Sequence, residues 1–278
     1  MTYIIAEIGI NHNGDLEIAK ELIVHAKSAG CDAVKFQKRE IDIVYTKDFL
    51  NEPRKSPWGT TQRDQKEGLE FSLEDFDKLD IFCENIGIDW FASSWDIESQ
   101  KKMRKYNFKY NKVASAMATN IPFLEEVASE RKHTFLSTGM MNLTMIDKAV
   151  DVFKTNSCSF TLMHTVSTYP ALEEDLNLKC INTLQNRYKV PVGYSGHEAS
   201  VSPSFIAVLL GATVIERHIT LNRAMYGSDQ SASLELPGLH QLVTMIKKIS
   251  ICLGDGEVKI LDSEVPIAKK LRYWKDDQ

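Results

Sequence analysis

Two histidines, two lysines and two glutamates carry the chemistry latent in this sequence. His197 follows the β-rich run Val192–Ser195, and His218 lies in the next such run, Val214–Thr220. Imidazoles from neighbouring strand ends can reach one divalent cation, with carboxylate, water or substrate completing the shell. Glu7 and Glu216 are candidates for a carboxylate ligand or for a contact behind the ligands. Glu216 can equally be the ion-pair partner of a barrel lysine or arginine. Lys35 and Lys112 sit inside apolar runs, where lysine is almost never buried without an anionic partner. Two such ammonium groups aimed at one cavity predict an anion there.

More polar side chains fall at the ends of other apolar runs. They are Gln37, two residues from Lys35 and so on the same strand face, then Ser93, Ser94 and Asp96, then Ser115, Ser137 and Thr138, then His164, Ser167 and Tyr169, and Ser195. A single serine after a strand is usually a helix cap, and a single histidine is usually a hydrogen-bonded core residue. The weight lies in the set, because eight separate segments deliver it.

Those segments alternate with amphipathic helical runs near Leu16–Ala29, Leu73–Ile86, Ile97–Tyr106, Pro122–Glu130, Met145–Lys154, Asn177–Tyr188, Pro203–Leu210 and Leu239–Leu253. Ser72 and Asp75 predict a capping box, and Gly87 a stop. Uninterrupted alternation implies parallel strands, and eight units in one chain predict a closed (β/α)8 TIM barrel. No G-x-G-x-x-G follows the first strand, which disfavours a dinucleotide site. Two long segments break the rhythm: Lys38–Glu70 after strand 2 and Leu221–Pro237 after strand 8. Both fall on the C-terminal rim, where barrel active sites form. The expected domain is a barrel over 1–278, with its core at about 3–255 and an extension at 256–278.

At 278 residues the chain suits one barrel of about 250. A net charge of −5 with no basic stripe argues against nucleic acid as a partner. It does not argue against an anionic substrate, which a few lysines can hold inside an acidic protein. The five widely spaced cysteines include no C-x-x-C pair, so a reducing, cytoplasmic setting is expected. No apolar run approaches the ~18 residues of a membrane span, and the N-terminus lacks a signal-peptide pattern.

Several of the segments that hold these residues resemble the sialic acid synthase family. They are AEIGINHNGD (6–15), VKFQK (34–38), KVAS (112–115), LSTGM (136–140), STYP (167–170), GYSGHE (193–198), IERHIT (215–220) and GSDQSASLE (227–235). SPWGTTQRDQKEGLEFS (56–72) also looks like the long loop of the animal members. The resemblance implies a (β/α)8 barrel that joins phosphoenolpyruvate to N-acetylmannosamine or a related sugar aldehyde. It implies that His197 and His218 hold Mn²⁺ or Mg²⁺. Lys35, Ser94, Lys112, Ser115, Ser137, Ser167 and Ser195 fall at phosphoenolpyruvate-contacting positions, with Glu7 beside the reacting carbons. Gln37, Tyr169 and Asp229 fall near the sugar. A homodimer is also implied.

Two departures stand out. Met117 occupies a position where the family usually has an acid, and a C-terminal antifreeze-like domain common in the family is absent from these 278 residues. Arg223, Arg272 and the Lys38–Glu70 segment are candidate substitutes for the arginine which that domain contributes to a partner's sugar site. Synthases of legionaminic, pseudaminic or shorter 2-keto-3-deoxy acids, and a non-catalytic sugar-binding or assembly protein, stand as alternatives. From the residues alone, a metal-dependent aldolase or isomerase also remains open, because a barrel does not fix its function.

Overall fold

In a computed structural model, which describes residues 2–274, eight parallel strands close into a barrel. They are β1 (Tyr3–Gly9), β2 (Ala33–Lys38), β3 (Asp89–Ser94), β4 (Asn111–Val113), β5 (Thr134–Ser137), β6 (Phe160–Thr165), β7 (Val192–Gly196) and β8 (Val214–His218). Each pairs with its sequence neighbours, and β1 closes the ring against β8. Short apolar runs followed by amphipathic helices give parallel strands that must be covered on both faces, and ring closure achieves this with the helices outside. The expected (β/α)8 architecture is what forms.

Register brings the chemistry together. Glu7 lies beside His218 on one side and Lys35 on the other, so three adjacent strands carry them at one level. Ser195 lies between Thr165 and Glu216 in the same way. At the opposite end of the strands, Tyr3, Phe91, Tyr110 and Phe135 stack edge and face with centroids 5.0–6.3 Å apart. That aromatic plug leaves the C-terminal ends as the open mouth.

Element boundaries differ from expectation in instructive places. The fourth strand, β4, has only three residues before the chain turns into a 3-10 helix at Ser115–Met117. The sixth helix begins at Cys180 rather than Asn177, because Asn177 has φ 41°, which no right-handed helix accommodates. The last barrel helix begins three residues early, at Leu236, since Pro237 is tolerated in a first turn. The Ser72–Asp75 capping box forms as expected and starts the helix Leu73–Ile86.

Lys38–Glu70 is not an irregular polar loop. It folds into short helices at Ile41–Val44 and Lys47–Asn51, a hairpin of Pro53–Ser56 with Gly59–Thr61, and a helix at Gln62–Leu69. Thr61 and Asp64 cap that helix reciprocally. Trp58 lies flat on Gly68, where an added Cβ would stand 2.1 Å from the indole. The same ring meets Tyr226, from the segment after β8, edge to face at 5.7 Å. The two long rim segments therefore touch.

The segment after β8 is tied back to the barrel. Leu234 N–H donates to the His218 carbonyl, and Thr220 N–H to that of Leu234. The buried Asn11 amide donates to Ile219 O and Ser233 Oγ. Beyond Cys252 the chain leaves the barrel. Residues 253–267 and 269–274 are exposed, with a short helix at Val265–Leu271. All five cysteines are free thiols. Among the described residues, no helix is long and apolar enough to cross a membrane.

Candidate active site

The mouth of the barrel encloses a cavity of about 170 Å³. Its wall carries Glu7, Lys35, Gln37, Lys112, Ser115, Ser137, Ser167, Tyr169, Ser195, His197, Glu216 and His218, so most of the residues singled out by sequence converge here. Ser94 and Asp229 do not line it. Ser94 pairs with Lys38, out of phase with the inward-facing Lys35 and Gln37, and its buried hydroxyl has no hydrogen-bond partner. Asp229 stands just outside, its Oδ2 3.9 Å from His218 Nδ1.

A ladder of buried charge crosses the floor. Lys35 Nζ lies 2.9 Å from Glu7 Oε2 and 3.7 Å from Glu216 Oε1. Lys112 Nζ holds Glu216 at 3.0 Å and donates to Ser137 Oγ at 2.8 Å. Ser195 Oγ donates to Glu216 at 3.0 Å. The anion predicted from the two lysines is thus, in part, the protein's own. Glu216 is their ion-pair partner, which decides between the two roles left open for it.

The two carboxyls respond oppositely to one environment. Burial raises Glu7 to about 7, with Lys35 opposing and Glu216 adding to the rise. Burial also works against ionisation of Glu216, but the ammonium groups of Lys112 and Lys35 outweigh it and hold that carboxyl well below the usual range. Burial lowers Lys112, and Glu216 opposes the fall. Glu216 is the fixed negative charge, and Glu7 is the group that can change protonation near neutrality.

The histidine rings lie 5.4 Å apart. Burial first, then charges in the site, push both to about 3, so both are neutral near pH 7. His197 Nδ1 sits 2.6 Å from the Val166 carbonyl and so carries its proton there, which leaves Nε2 as the lone pair, 3.0 Å from the Tyr169 hydroxyl. His218 Nδ1 is buried without a hydrogen-bond partner. Two neutral imidazoles, one with an orphaned nitrogen, suit a divalent cation. Among the described residues, no three His, Cys, Asp or Glu groups gather tightly enough to hold one alone. Oxygen atoms from water or substrate would have to complete its shell.

Behind the wall, Arg217 and Glu198 fix the strand ends that bear the histidines. Both side chains are fully buried and meet at 2.9 Å. Arg217 also donates to Ser200 O and Ser204 Oγ, and the Tyr194 hydroxyl donates to Glu198.

Sequence reasoning missed Trp95, Ala114, Ala116, Met140 and Thr165, which also line the cavity. Thr165 had a signal, since it lies two residues before Ser167. His164, chosen instead, points outward to the Leu176 carbonyl at 2.7 Å. Thr138 likewise faces outward, and Asp96 caps the helix Ile97–Met103. Met117 packs against the hydrophobic core and does not line the cavity. Arg223 is engaged with Ser231 and Glu235 away from the site, and Arg272 is exposed on the C-terminal segment.

Over 272 residues the chain is 37% identical to N-acetylneuraminate-9-phosphate synthase of Homo sapiens, covering 97% of this chain and 76% of that one. It is 37% identical to N,N'-diacetyllegionaminic acid synthase of Legionella pneumophila, covering 97% and 78%. The solved structure of an N-acetylneuraminic acid synthetase from Leptospira borgpetersenii, in complex with citrate, superposes with a TM-score of 0.84 at 31% identity, covering 98% of this chain and 93% of that one. A truncated 3-deoxy-D-arabino-heptulosonate 7-phosphate synthase from Thermotoga maritima, at 15% identity and a TM-score of 0.69, shares the fold. With the NeuB family model matching residues 22–258 as well, the chain belongs to the NeuB family.

Proposed function

We propose that this chain condenses phosphoenolpyruvate with the open-chain aldehyde of a sugar, giving a 2-keto-3-deoxy sugar acid and inorganic phosphate. The observation that carries this reading is the meeting of Lys35 and Lys112 with His197 and His218 in one cavity. Family membership gives that meeting its meaning, since relatives at 37% identity are named as sugar-acid synthases.

The side chains have distinct work. Lys112, Ser137, Ser115 and Ser167 supply donors for the phosphate and carboxylate groups. Gly139 lets the backbone approach Ser115 and Ser167, and its N–H donates to Ser115 Oγ at 3.1 Å. An added Cβ there would lie 2.2 Å from Ser167 Oγ. Held in this way, C3 of phosphoenolpyruvate faces the aldehyde carbon, and positioning of this kind is worth roughly 7–11 kcal/mol of barrier. A divalent cation held by His197 and His218, Mn²⁺ or Mg²⁺, would supply Lewis-acid polarisation of the aldehyde oxygen.

The new C–C bond forms from C3, and the aldehyde oxygen takes a proton to become a hydroxyl. Water adds at C2, and Glu7, poised near neutrality, accepts its proton. Collapse to the ketone breaks the C2–O bond and releases phosphate. Lys35 holds Glu7 in place throughout.

His218→Ala tests the reading. Mn²⁺ binding measured by calorimetry, and phosphate release restored by Mn²⁺ or Mg²⁺ after chelation, should both be lost while the circular-dichroism melt is kept. Full metal-restored turnover in this variant would contradict it.

A further inference from the structure

Beside the active-site cavity lies a larger one of about 720 Å³, between the helices Leu143–Thr155 and Cys180–Tyr188 and the ends of β5 and β6. Met140, Met141 and Met145 line it, together with Leu143, Ile146 and Leu184. Its described lining residues include no Asp, Glu, Lys or Arg. Met140, Leu143 and Met145 are exposed, so the groove is open at an apolar rim. Such a wall offers nothing to an ion. It suits a flat apolar ring, whose edge thioethers contact favourably.

His164 sets the polarity of the groove. It is 8% exposed, and its Nε2 lies 2.7 Å from the Leu176 carbonyl, so that nitrogen carries the proton. Burial lowers its pKa and keeps the ring neutral near pH 7. Nδ1 is then a lone pair, without a partner among the described residues. The Thr138 and Thr183 hydroxyls donate to the carbonyls of Met163 and Lys179, so they too have lone pairs to offer. A small molecule with one donor satisfies this wall better than a polypeptide segment, whose backbone would carry several unpaired polar groups into it.

Two residues, Met140 and Thr165, line both cavities. Thr165 Oγ1 lies 3.4 Å from His197 Nδ1. Met140 is held at φ 60°, a left-handed conformation that a residue with a side chain adopts at a cost. It follows Gly139, whose N–H donates to Ser115 Oγ and whose lack of a side chain leaves room for Ser167. A ligand packed on Met140 from the groove therefore bears on the hydroxyls assigned to phosphoenolpyruvate.

We propose that this groove binds a neutral, flat apolar ligand carrying one N–H or O–H donor, with its ring among the methionines and its donor on His164 Nδ1, and that occupancy tightens phosphoenolpyruvate binding by fixing Met140. The coupling rests on the synthase reading, whereas the binding does not.

Indole is the probe, used with the full-length protein. Calorimetry should show one site with a Kd of roughly 0.1–1 mM. 1-Methylindole, which lacks the donor, should bind roughly 3- to 10-fold more weakly. Met145→Glu brings a carboxylate into the groove and should weaken indole roughly tenfold or more, while Met145→Leu should keep it. Saturating indole should lower KM for phosphoenolpyruvate by roughly fivefold, leave KM for the sugar unchanged, and do neither in Met145→Glu. Absent binding, equal affinity for the two indoles, or binding that survives Met145→Glu would overturn the site. So would a dimer, seen by light scattering, that indole dissociates, since the groove would then belong to the exposed Tyr273 and Trp274 of a second copy. Binding with an unchanged or raised KM for phosphoenolpyruvate would overturn the coupling. If no sugar supports phosphate release, the synthase reading fails and calorimetry alone decides the site.

Discussion

Glu7 is caught between burial, which favours its neutral form, and Lys35, which favours its charge, and it settles near neutrality at about 7. A base works only when deprotonated. kcat/KM should therefore fall about tenfold per unit as the pH drops below about 7, and Glu7→Gln should lower kcat and abolish that limb. A pH profile of kcat/KM checks both, and an unchanged acid limb in the variant would assign it to another group. Gly139→Ala should raise KM for phosphoenolpyruvate by displacing Ser115 and Ser167, with little change in thermal stability if the hydroxyls move aside. At this scale the site was largely legible. Lysine in an apolar run and histidine at a strand end are conspicuous residue types, and register did bring them together. Ser94 and His164 were misassigned because a strand's two faces alternate, and a one-residue error in phase exchanges wall for exterior. Thr165 was passed over for a chemically louder neighbour. The compensation of Lys35 and Lys112 by Glu7 and Glu216 needs coordinates, because ion pairing across a barrel leaves no spacing in sequence.

Among the elements, the insertion after β2 departs most from what periodicity shows. Its helices have four, five and eight residues, and its strands four and three. Pieces this short fall below the window in which an apolar repeat can be recognised. Capping chemistry was the available signal, since Thr61 and Asp64 show the same box that correctly located the helix at Leu73. Trp58 on Gly68 clamps the insertion, and the same indole touches Tyr226 across the mouth. Gly68→Ala should release that clamp. Limited proteolysis should then cut within 52–68 at lower protease concentration, and KM for the sugar should rise while the melting midpoint shifts by no more than a few degrees. Unchanged proteolysis would show that the indole is not what holds the insertion.

For the whole molecule, barrel closure follows from eight apolar runs and eight amphipathic ones, a pattern readable without coordinates. What holds the functional ends of β7 and β8 together is less visible, because Arg217 and Glu198 look in sequence like ordinary charged residues beside the histidines. Their burial makes them a stability element. Arg217→Met leaves the Glu198 carboxylate without its partner and should cost about 3–5 kcal/mol in urea unfolding. The double variant with Glu198→Gln should recover part of that loss, whereas additive losses would show that the pair is not coupled.

The proposed condensation makes one carbon–carbon bond while expelling phosphate, and both substrates are needed for that outcome. The most direct measurement is phosphate release from phosphoenolpyruvate by the purified protein, with and without an aldose or aldose phosphate, in the presence of Mn²⁺. Release that requires the sugar and matches the keto acid formed one for one is the predicted result. Release without any sugar, or none with any of them, would contradict the account.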